Sequence, residues 1–154
     1  MLIKLDRIDL NILRILQGQG RISNVELSQL VNLSPAPCLT RVKKLEQQGL
    51  IKAYRAELDA QSLGLSLLAY VEVTLHRTTP DVFNKFREAV QTIDEIEECH
   101  MVAGGFDYLI KVRCRDMDDY RRVLGEKIAS INDISQTHTY VVMEQIKTSS
   151  SLNI

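Results

Sequence analysis

The chain has 154 residues, 45% hydrophobic, 25% charged and 5% aromatic, with no Trp; this balance excludes a disordered chain, a collagen-like chain and a coiled-coil rod. No apolar run approaches the roughly 18 residues of a membrane helix, and the opening Met1-Leu2-Ile3-Lys4-Leu5-Asp6 meets charge too early for a secretory signal. The net charge of −1 hides a split: residues 1–60 carry nine Lys/Arg against six Asp/Glu, a balance of +3, and residues 61–154 carry −4, a pattern of two modules with different partners. Cys38, Cys99 and Cys114 are odd in number and widely spaced, which suits a reducing cytoplasm better than a disulfide framework.

In chain order, Ile8, Ile12, Leu13, Ile15 and Leu16 recur at helical spacing behind Asp6, an N-cap residue, and Gly18 and Gly20 stop this first helix. Ser23 or Asn24 caps a second helix with Val25, Leu27, Leu30 and Val31 as its apolar stripe. After a turn at Asn32-Leu33-Ser34, Ser34 caps a third helix from Pro35 to Gln48, with Pro35 in the first turn and Gly49 as the stop. Cys38, Val42 and Leu45 form its inner face, which turns Pro37, Thr40, Arg41 and Lys44 outward with Lys43 beside them.

Two helices, a short turn and a capped basic helix outline a helix-turn-helix. Arg41 can bridge two acceptors on a guanine edge, Thr40 offers a hydroxyl and a methyl, and Lys43 and Lys44 suit phosphates. Ser34 stands at a helix N-terminus whose amides suit a phosphate oxygen. A plain three-helix unit with a wet basic face fits the periodicity equally well.

Beyond a connector at Gln61–Leu65, Leu68–Leu75 reads as a strand, Thr79–Gln91 as a helix, Ile96–Val102 and Phe106–Arg113 as strands broken by Gly104-Gly105, Asp116–Ile128 as a helix and Ile134–Met143 as a last strand. The halves correspond at an offset of 38 residues: Tyr70 with Tyr108, Asp81 with Asp119, Ile93 with Ile131 and Ile96 with Ile134. A doubled βαβ unit predicts a ferredoxin-like βαββαβ sandwich, with helices on one face. The other face then needs a cover, and a second copy is the economical one, with Val71, Val73, Ile110 and Val112 divided between the faces. Ser149-Ser150-Ser151 marks a mobile or edge-packed tail.

The motifs Leu5-Asp6-x-x-Asp9, Gly20-Arg21, Leu33-Ser34, Cys38, Arg41, Leu45-Glu46 and Gly49, followed by PDVFNKF, ECHMVAGGFDYLIKV, YRRVLGE and TYVVMEQIK, resemble the Lrp/AsnC (feast/famine) transcription regulators along nearly the whole chain. The expected fold is α+β: an N-terminal winged-helix-like helix-turn-helix with a linker strand (1–60), joined to a C-terminal ferredoxin-like domain for effector binding and oligomerisation (61–154). The resemblance implies double-stranded DNA and a free amino acid as partners. It also implies homodimers assembling to octamers or larger rings, and an effector held between C-terminal domains. Leucine is the leading effector.

An amino acid needs partners for both charged ends and an apolar wall. Gly104 and Gly105 offer unobstructed amides, and Thr139 a hydroxyl. The resemblance ties Asp107, Met117, Tyr140, Val141 and Val142 to the leucine response, with Gly104, Gly105 and Tyr108 as the adjoining loop. Gly105 departs from the acidic residue expected there. From the residues alone, a plain hairpin turn and core valines fit as well.

No P-loop, Rossmann glycine series or GxSxG motif points to an enzyme. Cys99 and His100 are adjacent in a strand and no metal spacing occurs, so neither a metal nor a cofactor is expected. The open alternatives are an enzyme or its regulatory subunit on the same sandwich, and an architectural DNA-binding protein without effector.

Overall fold

The computed structural model describes residues 3–148 and 151–154. Met1 and Leu2 of the expected start, and Ser149 and Ser150 of the expected tail, lie outside the described residues. The chain forms two compact units. One runs to Glu57 and takes in the C-terminal segment from Lys147; the other is Leu58–Ile146.

The first unit holds α1 (Arg7–Gly18), α2 (Asn24–Leu30) and α3 (Pro35–Gln47). Asp6 and Asp9 start α1 as a reciprocal capping box, and Ser23 and Glu26 do the same for α2, satisfying amides a helix cannot pair internally. Ser23, not Asn24, is therefore the α2 cap. The Asn24 side-chain amide instead donates to Pro35 O at 2.8 Å and ties α2 to the first turn of α3. Ser34 occupies the N-cap position of α3 but its side chain makes no capping bond. Asn32, with φ of 55°, takes the left-handed corner of the turn, and Gly49, with φ of 71°, ends α3 as expected. The core is Ile12, Leu27, Val31, Cys38 and Leu45. The α2 stripe is narrower than expected: Leu27, Ser28 and Val31 are buried, whereas Val25 and Leu30 are exposed, because a seven-residue helix turns only one narrow face to two neighbours. Near the far end of α3, the Tyr54 hydroxyl donates to Glu46 Oε1 at 3.0 Å; burial first, then this bond, pushes its pKa up to about 12. The C-terminal segment packs on α1: Leu152 N donates to Gln17 Oε1 at 2.6 Å, and Arg14 bonds the Ile154 backbone oxygen. Among the described residues of this unit there is no strand, so the expected linker strand is not formed among them.

The second unit holds β1 (Leu67–Leu75), α4 (Pro80–Val90), β2 (Ile96–Met101), β3 (Tyr108–Cys114), α5 (Met117–Arg122) and β4 (Ile134–Val141). α5 runs on through a π-helical stretch, Val123–Ile128, in which Ala129 N reaches back five residues to Leu124 O. The sheet is antiparallel in the order β2-β3-β1-β4, the arrangement the doubled βαβ repeat predicts. Burial alternates along β3, and along β1 from Ala69 onward. Ala69, Val71, Val73, Ile110, Val112 and Cys114 all point to the helix side, where they meet Val82, Phe86, Tyr120, Val123 and Ile128. Val71, Val73, Ile110 and Val112 are thus not divided between the faces: residues two apart share a face, and their registers (Val71 opposite Ile110, Ala69 opposite Val112) place them together. The opposite face carries Tyr70, Glu72, Lys111, Arg113, His138 and Tyr140. Lys111 and Arg113 are paired there with Glu97 and Glu98. No helix among the described residues is long and apolar enough to cross a membrane.

Candidate nucleic-acid interface and effector site

The apolar joint of Ile12, Cys38 and Leu45 fixes one side of α3. At 100° per residue, the side opposite is centred on Ala36, Thr40, Lys43 and Gln47, and all four are exposed. Pro37 and Lys44 flank it, also exposed, and Ser34 stands at its N-terminal end. Thr40 Oγ1 donates to Ala36 O at 3.1 Å, which leaves its methyl and a hydroxyl lone pair outward. Neither Lys43 nor Lys44 enters an ion pair among the described residues, so both charges are free for phosphates. Ala36 and Gln47 were not foreseen as members of this face. The signal was available, since they lie four residues to either side of Thr40 and Lys43, the residues already placed outward.

Arg41 departs from the outward expectation. Its Nη1 donates to Asp6 Oδ2 at 2.6 Å and to Asp9 Oδ1 at 2.7 Å, and its side chain is only 31% exposed. Three residues after Cys38 and four before Leu45, it shares their side of α3, at the edge of the joint with α1. The Asp9 amide and then this guanidinium hold the Asp6 carboxyl below its usual range.

Seven of the nine effector candidates fall into two groups. Gly104 and Gly105 lie in the β2–β3 loop. Asp107 follows, its amide donating to Val73 O at 3.0 Å and its Oδ2 accepting from Leu75 N at 2.7 Å. The Tyr108 ring is in the core, 4.3 Å from that of Phe86, and its hydroxyl has no hydrogen-bond partner among the described residues. These four gather at the Leu75 end of β1. Val141 lies opposite Ala69, Val142 N donates to Leu68 O at 2.9 Å, and Met117 begins α5 just past Cys114, which faces Leu67. Met117, Val141 and Val142 therefore gather at the other end of β1. Tyr140, opposite Tyr70, is exposed on the open face. Thr139 lies mid-strand on the helix side and is bonded to Tyr120. At ~3.3 Å per strand residue the two ends are about 20 Å apart, more than one free amino acid spans.

Gly104 and Gly105 have no left-handed φ, and a Cβ added to either would meet nothing within 4 Å. Nothing in the described protomer requires glycine at these positions. Among the described residues, no three His, Cys, Asp or Glu side chains converge to hold a metal ion.

Residues 5–52 match the winged helix-turn-helix DNA-binding family, and residues 68–152 match the Lrp/AsnC ligand binding domain. The chain is 56% identical over 150 residues to the leucine-responsive regulatory protein of Escherichia coli strain K12, across 97% of this chain and 92% of that protein. Its structure is similar to a transcriptional regulator of Neisseria meningitidis solved as an L-Met complex (TM-score 0.93, 35% identity, 97% and 96% of the two chains). It is also similar to E. coli AsnC (TM-score 0.89, 27% identity, 97% and 99%). The chain belongs to the Lrp/AsnC family: it is a transcription regulator with a helix-turn-helix DNA-binding unit and an amino-acid-binding sheet unit, and not an enzyme.

Proposed function

We propose that this regulator is a cytoplasmic, nucleoid-bound protein whose assembly state is set by leucine, bound between copies of the sheet unit. Each dimer presents two α3 helices to successive major grooves about one helical turn apart. Ser34, Pro37, Thr40, Lys43 and Lys44 face the duplex, with Thr40 toward the bases and the lysines on phosphates. Octamers or larger assemblies sum such contacts along bent DNA.

The observation that carries this reading is the separation of the two candidate groups by about 20 Å along β1. One copy supplies the loop of Gly104, Gly105 and Asp107; another supplies the end with Met117, Val141 and Val142. The loop amides suit the effector carboxylate, Asp107 its ammonium, and the valines and Met117 an aliphatic side chain. Glycines that the protomer itself does not need fit a close approach from outside it. The relatives favour leucine, and the L-Met complex of the Neisseria protein favours a long aliphatic side chain. A coupling of about 1–3 kcal/mol between leucine and assembly redistributes the states.

The test is calorimetric titration with each of the twenty amino acids, paired with sedimentation of the same samples. Saturable heat with leucine, together with a change in assembly mass, is the expected result. Binding to a species that sediments as a monomer overturns the shared site, and no heat with any amino acid overturns the sensor.

A further inference from the structure

We propose that Arg41 is a positioning residue: clamped between Asp6 and Asp9 at the start of α1, its guanidinium sets the roll of α3 against the duplex instead of reading a base. This rests on the reading of the exposed α3 face as the groove-entering surface.

The clamp is closed. Asp6 Oδ1 accepts from Asp9 N at 2.8 Å, and Asp9 Oδ2 accepts from Asp6 N at 3.2 Å. Each carboxylate thus spends one oxygen on the α1 cap and its other oxygen on Arg41. The residues that start α1 are therefore the same ones that grip α3, across 35 and 32 residues of sequence. The apolar joint beneath it, Ile12 against Cys38 and Leu45, is non-directional. It sets which side of α3 faces inward, and a directional ion pair at the rim narrows the rotation that remains.

Charge argues the same way. Two carboxylates face one guanidinium, and the Asp9 side chain is only 10% exposed. An Arg41 that swung out to a guanine edge would leave the nearly buried Asp9 carboxylate uncompensated, a costly arrangement. Lys43 and Lys44 carry no such obligation.

The test uses the full chain and two probes: a duplex of about 20 bp that the parent protein selects from a randomised pool, and calf-thymus DNA. Arg41→Gln and Asp9→Asn are each expected to weaken the selected duplex about tenfold and calf-thymus DNA far less. The double variant is expected to be no worse than Arg41→Gln alone, since one clamp is lost once. Arg41→Lys, which keeps a charge for the carboxylates, is expected to recover most of the loss. Repeating the selection with Arg41→Gln is expected to return the same preferred bases. The proposal is overturned if Arg41→Gln changes the preference at particular base pairs while Asp9→Asn binds like the parent. It is equally overturned if Asp6→Asn and Asp9→Asn both leave the selected duplex unaffected. If Arg41→Gln does not fold, Arg41→Lys and the two Asp→Asn variants decide the matter on the same probes. Failure of the parent to select any duplex is a different outcome, which removes the groove-facing reading itself.

Discussion

The Tyr120 hydroxyl lies 2.5 Å from Thr139 Oγ1, joining α5 to β4. Tyr120 is buried with its ring in the sheet core, whereas β4 is an edge strand and is mostly exposed. The bond ties this edge strand to the helix layer. Tyr120→Phe keeps the ring and deletes the hydroxyl, with an expected cost of about 1 kcal/mol in urea unfolding. Thr139→Val is expected to cost a similar amount, and the two together less than their sum, because they remove the same contact. Full additivity in the cycle means that the hydroxyls act separately.

Glycines divide by what they do. Gly49 ends α3 with φ of 71°, so Gly49→Ala is expected to destabilise the helical unit by roughly 1 kcal/mol. Gly104→Ala and Gly105→Ala meet open space at ordinary φ and are expected to leave the melting temperature unchanged. Any loss of amino-acid binding in those two variants then belongs to the site, not to the fold. A matching drop in melting temperature points instead to a structural need for glycine in the loop.

Most of the sheet unit was legible because its signals are local. Strand alternation, breaks at Gly104-Gly105 and the repeat pairings Asp81 with Asp119 and Ile96 with Ile134 led to the βαββαβ order; the pairing of Tyr70 with Tyr108 is out of register, since Tyr70 lies on the open face and the Tyr108 ring in the core. What was not legible is long-range. Asp6 and Asp9 read as helix caps, which they are; nothing in a 3.6-residue period reveals that their second oxygens hold Arg41, over thirty residues away. The spacing of Arg41 to Cys38 and Leu45 was the available clue, and a charged side chain hid it. Likewise, the sequence brings Gly104 and Val141 into one candidate site by kind, and only the register of β1 with β3 and β4 separates them.

The Asp6 carboxyl, held below its usual range first by the Asp9 amide and then by Arg41, makes the helical unit sensitive to acid. A carboxyl whose folded pKa lies below its unfolded value of about 4 adds stability above that value. The contribution is lost as the pH falls through the folded pKa. Glu95, lowered by its bond to Lys127, acts in the same direction in the sheet unit. The melting temperature is therefore expected to fall as the pH goes from about 5 to about 3, with Asp6→Asn flattening part of that slope. An unchanged slope in Asp6→Asn assigns the acid sensitivity to other carboxylates.

Lys44 separates affinity from specificity. It is exposed on the flank of the groove-facing side of α3 and forms no ion pair among the described residues. A lysine on a phosphate releases counterions whatever the base sequence. Lys44→Ala is therefore expected to weaken a selected duplex and calf-thymus DNA by the same factor, and to reduce the slope of log affinity against log salt by about one per protomer engaged. Arg41→Gln is expected to leave that slope unchanged, because its charge is already neutralised by Asp6 and Asp9. The two variants thus fail in different measurements: one in the salt dependence, the other in the ratio of selected to random DNA. A salt slope that drops equally in both places Arg41 on a phosphate and removes the distinction between them.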